Sequence, residues 1–315
     1  MTIGSLSSPA LVPTPQTIAG QLITNINTDQ SQIATLQEQI STGVTVNQPS
    51  DNPALAADIM TMNSSLTRAQ QYVSNAADAQ GWLQQGTSTL NQVMSTLQSI
   101  TSAVESVTGQ ALAGKSTAMD AIASQVAAGL QQLLGLANTT YNNQAIFAGT
   151  GAVTQAYDST GAYQGNSSQP TRSVAPSVSV TIAATGTAVF GSGTTGLLTG
   201  AGQTTGTVGV LQQLVNDLRG GNLTAVTGAD LQALKTATTT VATQAAYLGA
   251  QYQNAQAFSA QATATQQALQ TEVGNLQNTN LPKAATQLTE AQNSYQAALW
   301  ATAQVSQASL VQFLG

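Results

Sequence analysis

The 315-residue chain contains no cysteine and no histidine. Without cysteine it can form no disulfide and no thiol mechanism; without histidine it lacks the commonest general base and the commonest metal ligand. A chain with no disulfides is held by packing or by its neighbours, and this absence assigns no compartment. Charge is almost as scarce. Charged residues make up 6%, with six Lys and Arg against twelve Asp and Glu, and no cationic side chain precedes Arg68. That leaves no basic patch for nucleic acid or anionic lipid, and contacts made by such a chain are expected to depend little on salt. Aromatic residues are 4%, so any core must be thin and built from Ala, Leu, Val and Ile, which suits long helices better than a globule. No apolar run approaches the roughly twenty residues that membrane insertion requires. The opening MTIGSLSSPALVPTPQTIAG has no positive side chain and is broken by Pro9, Pro13 and Pro15, so no cleavable export signal is expected.

What the chain does have is heptad spacing, with apolar residues alternately three and four apart so that one stripe of a helix faces a partner. The first series is Leu22, Ile26, Asp29, Ile33, Leu36 and Ile40, with one polar member. A second helix carries Leu83, Leu90, Leu97 and Val104, supported by Val73 and Met94. A third runs through Met119, Ile122, Val126, Gly129, Leu133 and Leu136. On the far side of a non-helical centre the pattern runs without a skip from Leu231 through Leu234, Val241, Leu248, Tyr252, Ala255, Leu269 and Val273 to Leu276. After Pro282 a last helix is expected, with Leu288, Tyr295, Leu299, Val305, Leu310 and Phe313 as its larger side chains. These do not all lie on one stripe.

Between residues 150 and 206 the composition turns to Gly, Thr, Ser and Val, and Val178, Val180 and Ile182 alternate with small polar residues as a half-buried strand does. VGVLQQLVNDLR, Val208 to Arg219, predicts a short amphipathic helix stopped by Gly220 and Gly221. The expected fold class is therefore mainly α: a long antiparallel helical bundle or coiled coil made by the N- and C-terminal segments, with a small inserted β-rich domain. The expected organisation is a Pro-rich extension (1–16), terminal helices (17–48 and 281–315), a helical rod (49–149 and 207–280) and the β insert (150–206).

Three patterns invite chemistry. GQALAGKS, Gly109 to Ser116, fits the P-loop expression, which would use Lys115 and Ser116, but a P-loop needs a strand before it and here a heptad helix precedes. A turn between antiparallel helices is the plainer reading. GSGTTG, Gly191 to Gly196, opens no helix and so lacks the dinucleotide context; it reads as a flexible loop. Asp51, Asp58 and Asp78 read as caps or solvated positions, without calcium-loop spacing. The bend motif Pro49, Ser50, Asp51, Asn52 and Pro53 has its own logic: the prolines fix φ, Ser50 and Asp51 can accept from free N–H groups, and a helix can begin just beyond. It serves either as a corner alone or as a corner that also touches a neighbour.

Ile40 to Asp58, ISTGVTVNQPSDNPALAAD, resembles the signature of the flagellin superfamily, in which a terminal helix leads through S-T-G into a P-S-D-D-P-A bend. Asn52 here replaces the usual second Asp, and Val44 a common Lys. Within that superfamily, QAIFAGT (Gln144 to Thr150), AYDSTGAYQGN (Ala156 to Asn166), a "VF" strand at Gly186 to Phe190 ahead of VGVLQQLVNDLRGGN, and the closing SQASLVQFLG are similar to the hook-filament junction group, the hook-associated proteins of the FlgL type. The resemblance implies a structural subunit of the bacterial flagellum with no catalytic residue, no cofactor and no metal. Its implied role is an extracellular adaptor on which flagellin assembles, exported through the flagellar type III path. Implied partners are the other junction protein, flagellin, its own copies in a ring or helical layer, and an export chaperone. A filament flagellin is the alternative, and a P-loop protein using Lys115 the remote one. The expected assembly interface pairs Leu22, Ile26, Ile33, Leu36 and Ile40 with Leu288, Tyr295, Leu299, Leu310 and Phe313, within a subunit and against neighbours, with both ends ordering on assembly.

Overall fold

A computed structural model of the chain describes residues 15–108, 115–202 and 206–314, with the side chains of residues 15, 16, 19, 108 and 115 and those beyond residue 304 outside that description. In chain order the elements are α1 (Pro15–Thr42), α2 (Pro53–Thr108), α3 (Lys115–Ala137), the short strands β1 (Thr140–Tyr141) and β2 (Gln144–Ala145), then β3 (Thr171–Ala175) and β4 (Val178–Thr181). They continue with α4 (Gly186–Phe190), α5 (Val210–Arg219), α6 (Leu223–Ala225), α7 (Leu231–Gln277) and α8 (Leu281–Leu314). The protein is thus mainly α, with two small antiparallel sheets, β1–β2 and β3–β4. It divides into a terminal unit, Met1–Leu66 with Gln267–Gly315, and a middle unit, Thr67–Gln266.

The middle unit is built on the α2 heptads. Leu83, Leu90, Leu97 and Val104 are all fully buried, in one cluster with Val126, Leu130 and Leu133 of α3, Leu211, Leu214 and Leu218 of α5, and Leu234, Val241 and Leu248 of α7. Trp82, Val93 and Ile100 are buried as well, so α2 is covered over more than one stripe, as a helix with several neighbours must be. Every member of the predicted series on α7, from Leu231 to Leu276, is buried or half-buried. This helix tolerates its TATTTVAT run because each threonine satisfies itself. Thr236, Thr238, Thr239, Thr240 and Thr243 each donate their hydroxyl to the carbonyl four residues back, at 2.9–3.1 Å. Gly81 on α2 has a packing reason: a Cβ there would collide with the Tyr141 hydroxyl, and Tyr141 lies 5.3 Å from the Trp82 ring.

In the inserted region β3 and β4 form a hairpin closed at Pro176 and Ser177, the latter with φ +59°. Val180 and Ile182 point inward. The hairpin is tied to α2 by the Arg172–Asp78 ion pair (2.7 Å) and by the Asn75 side-chain amide donating to the Ser173 carbonyl (2.8 Å). Asp158 holds the next turn, its Oδ1 accepting from the N–H groups of Thr160 (2.8 Å) and Ala162 (3.0 Å). The Thr160 hydroxyl, donating to the same oxygen, together with these backbone bonds holds its pKa below the usual carboxylate value.

Gly186–Phe190, expected as a strand, is a helical turn. A strand would send Val189 and Phe190 to opposite faces, whereas both are buried here. Phe190 meets Phe147 edge-on at 5.4 Å and Tyr157 at 5.7 Å. GSGTTG likewise opens no dinucleotide helix. It ends α4 at Gly191 (φ +71°) and makes a single tight turn, Gly193–Thr195, before Leu197 and Leu198 enter the core. The helix predicted from Val208 forms as α5 and ends at Gly220, with Gly221 at φ +71°.

One carboxyl group is out of place in this core. Asp230 closes a π-helical turn, Val226–Asp230, is 7% exposed, and its Oδ2 is buried with no hydrogen-bond partner. Burial, aided by the nearby Asp217 carboxylate, pushes its pKa up to about 6.

Candidate assembly surface

In the terminal unit α1 packs along α8. Leu36 is buried, and Ile33 and Ile40 half-buried, against Ala284, Leu288 and Ala291. Leu22, Ile26 and Asp29 continue the same line at half burial. The α8 side of this contact is Ala284, Leu288 and Ala291, with Tyr295 and Ala298 continuing the same spacing at half burial; it is mostly alanine and buries little area per turn. Leu299 is not part of it. One residue past Ala298 a helix has turned by about 100°, and Leu299 stands 43% exposed. Leu310 and Phe313 belong to α8 by backbone, but their side chains lie outside the described set.

The α1–α2 connection is tied to the α7–α8 connection by a miniature sheet. Gly43 turns the chain at φ +72°, a conformation open to glycine and costly for most residues. The Thr45 N–H then donates to the Gln277 carbonyl (2.7 Å) and the Thr279 N–H to the Gly43 carbonyl (2.9 Å), pairing Val44 with Asn278. The Gln39 side-chain amide donates to the Thr45 carbonyl at 2.7 Å. Asn280 caps α8, its Oδ1 accepting from the Lys283 N–H. Sequence reasoning missed this clamp, because a single pair of bridged residues leaves no periodicity to detect.

The bend follows directly. Asp51 Oδ2 accepts from the N–H groups of Asn47 (3.1 Å) and Gln48 (2.9 Å), so this carboxylate folds back on the preceding turn. The cap of α2 is Asn52, whose Oδ1 accepts from the Leu55 N–H at 3.1 Å, with Pro53 as the first helical residue. Asp51 thus accepts from free N–H groups as expected, but on the turn before the helix; with Pro53 at the first helical position, residue 52 is the one whose side chain lies beside the N–H groups of α2. Asn52 offers the same acceptor oxygen as the usual Asp. Pro49, Ser50, Asp51, Asn52 and Pro53 are all exposed.

The units differ in how much apolar surface they leave open. Among the described residues, the large hydrophobic side chains that remain exposed are Ile18, Ile23, Met60, Leu281, Leu299 and Trp300, and all belong to the terminal unit. Its core cluster has three buried members, Leu36, Ala284 and Ala291.

Chemistry has little to work with. Among the described residues no three carboxylates gather as a metal would need; Asp51 serves the bend and Asp78 pairs with Arg172. Gly109 to Gly114 of the P-loop expression lie outside the described residues, and what precedes them, up to Thr108, is helix α2 where a nucleotide site would need a strand. No helix among the described residues is long and apolar enough to cross a membrane.

Residues 15–152 match the family model described as the bacterial flagellin N-terminal helical region, and residues 231–314 the bacterial flagellin C-terminal helical region, together more than two-thirds of the chain. The flagellar hook-associated protein 3 of Salmonella typhimurium is 29% identical over 178 residues, which is 55% of this chain and 54% of that protein. The chain thus spans about half the length of the curated relative it matches. Two solved structures share the fold. Hook-associated protein 3 (HAP-3) from Legionella pneumophila has a TM-score of 0.57 at 16% identity, over 69% of this chain and 98% of that one. FlgL from Bacillus cereus has a TM-score of 0.56 at 19% identity, over 68% and 99%.

Proposed function

The chain belongs to the bacterial flagellin family, and on that premise we propose that it is a structural subunit of the flagellum, placed where the filament joins the hook, as the adaptor on which flagellin assembles. The observation that carries this reading is the confinement of the exposed large hydrophobics to the terminal unit. The middle unit covers its own core, while the terminal helices leave side chains for neighbours to cover, each worth about 1.5–3 kcal/mol once fully buried. Such helices order and pack in an assembly. The junction, rather than the filament, is supported by the relative whose name is flagellar hook-associated protein 3 and by the motifs around Phe147 and Gln164.

In this reading the partners are further copies of the chain in a ring or helical layer, a second hook-associated protein, flagellin, and an export chaperone. The chain works outside the cell after type III export, and its role is mechanical, with no residue doing covalent chemistry. Immunogold electron microscopy of purified flagella tests it, with an antibody to the exposed hairpin tip at Pro176 and Ser177. Gold confined to the hook–filament boundary is the expected result. Gold along the whole filament makes the chain a filament subunit, and flagella bearing no gold overturn the reading.

A further inference from the structure

The seam between α1 and α8 repeats itself. Counted back from the Val44–Asn278 bridge, the α1 line is Ile40, Leu36, Ile33, Asp29, Ile26 and Leu22; counted forward from it, the α8 line is Ala284, Leu288, Ala291, Tyr295, Ala298 and Thr302. Every one of these is buried or half-buried, and both lines step four, three, four, three, four. The helices run antiparallel from the bridge, so the lines meet in that order, and Ile40, Leu36 and Ile33 share a cluster with Ala284, Leu288 and Ala291. Half of the seam is the same at every repeat: Ile26, Ile33 and Ile40 on one side, Ala284, Ala291 and Ala298 on the other, each seven residues apart. A slide of α1 by one heptad, about 10 Å along the axis and away from the bridge, would set Ile40 against Ala291 and Ile33 against Ala298, which are the same contacts again. It would also carry Asp29 from the level of Tyr295 to that of Thr302, and Leu36 from Leu288 to Tyr295. The opposite slide brings Asp29 to Leu288 and is disfavoured by that mismatch. Residues 43–52, between α1 and α2, hold enough chain for the outward slide.

We infer that the Val44–Asn278 bridge, and not the helical seam, sets the register of the α1–α8 pair. This holds within one chain, whichever polypeptides cover the terminal unit from outside. What the bridge has and the seam lacks is a pattern that occurs once. Gly43 turns at φ +72°, and no atom lies within 4 Å of where its Cβ would stand, so glycine serves the backbone alone at this position. The turn presents the Gly43 carbonyl and the Thr45 N–H to the α7–α8 connection, where they meet the Thr279 N–H at 2.9 Å and the Gln277 carbonyl at 2.7 Å. Gln39, in the last turn of α1, donates its side-chain amide to the Thr45 carbonyl at 2.7 Å and so ties the bridge to the helix it positions. The Thr45 and Thr279 hydroxyls lie 3.4 Å apart across it. A one-heptad slide breaks both backbone bonds, whereas the seam gives up only the cover of Ala284 and Leu288 at its closed end. Directional hydrogen bonds at one end therefore specify what an Ile–Ala repeat leaves degenerate.

Because the chain has no cysteine, two introduced cysteines can carry nitroxide labels at chosen places, and pulsed electron paramagnetic resonance reads the distance between them in the full chain. Gln30→Cys and Ala285→Cys put the labels at exposed positions on different levels of the pair, so that sliding α1 outward lengthens their separation by about 5–10 Å. The expected result is one distance in the labelled chain. Thr45→Pro, which removes a bridging N–H, should add a second, longer distance. Leu36→Ala, which thins the seam and leaves the bridge, should keep the single original distance. Gly43→Ala strains the turn without removing a hydrogen-bonding group; it should give the same longer distance at a smaller fraction, and it decides the matter if Thr45→Pro separates the helices altogether. One unchanged distance in both bridge variants would mean that the seam holds register by itself, and a second distance in Leu36→Ala that the bridge does not hold it. Either result, or a broad spread of distances in the labelled chain without further substitution, overturns the inference.

Discussion

Replacing Asp230 with Asn should make the protein more stable at neutral pH. The carboxyl is 7% exposed, has a partnerless buried oxygen and lies near Asp217, which together lift its pKa from 3.8 to about 6. Ionising it in the folded protein therefore costs about 3 kcal/mol more than in the unfolded chain. The sign follows from where the protons sit. Between about pH 4 and pH 6 the folded state holds a proton that the unfolded state has released, so the group's favourable contribution is fully present below about pH 4 and is lost as pH rises through about 6. An amide has nearly the same shape, carries no charge and can donate to Asp217. Asp230→Asn should then raise stability by about 1–3 kcal/mol at pH 7.5, or several degrees in Tm for a unit of this size, and change it little at pH 4. Thermal melts of both proteins followed by circular dichroism between pH 4 and pH 7.5 measure the difference, which cancels the other titrating groups. Curves that stay parallel across this range, or a variant less stable at pH 7.5, would refute the account of Asp230.

Hydrogen exchange of the free chain at neutral pH should show α1 and α8 exchanging far faster than Leu83 to Val104 of α2, because the terminal core cluster has only three buried members; equal protection in both would contradict that. Leu90→Ala, at a fully buried position, should cost about 2–5 kcal/mol in urea unfolding, whereas Leu36→Ala should leave the main transition in place and loosen only the α1–α8 pair. If the two midpoints drop alike, the units are not energetically separate. Asn52→Ala removes the cap of α2 and should cost about 1 kcal/mol, seen as faster amide exchange at Leu55, while Ser50→Ala, whose side chain is not the cap, should leave that exchange unchanged. Gly81→Ala should displace Tyr141 and alter the near-ultraviolet signal of Trp82; an unchanged spectrum would mean the ring contact is loose.

The contrast between α7 and α8 shows what patterning can and cannot report. On α7 every residue of the heptad series from Leu231 to Leu276 faces inward, because a helix committed to partners along its length records them at a fixed spacing. On α8 side-chain size alone does not mark the contact: Leu288 takes part in it beside Ala284 and Ala291, while Leu299 and Trp300 stand outside it. Side-chain size predicts burial only where a core is available to fill, and the cluster between α1 and α8 has three buried members.

Local chemistry was legible in the same uneven way. The bend at Pro49 to Pro53 could be read because proline fixes φ and because carboxylates and amides cap free N–H groups; which of them caps, Asn52, depended on where the helix begins. Periodicity and composition alone determined the helical class and the heptad faces, since these follow from short-range geometry repeated along the chain. The Val44–Asn278 clamp, the helical turn at Gly186, the misfit carboxyl of Asp230 and the concentration of open apolar side chains in the terminal unit were decided only by the tertiary structure. Each depends on which residues distant in sequence become neighbours, and one-dimensional spacing carries no record of that.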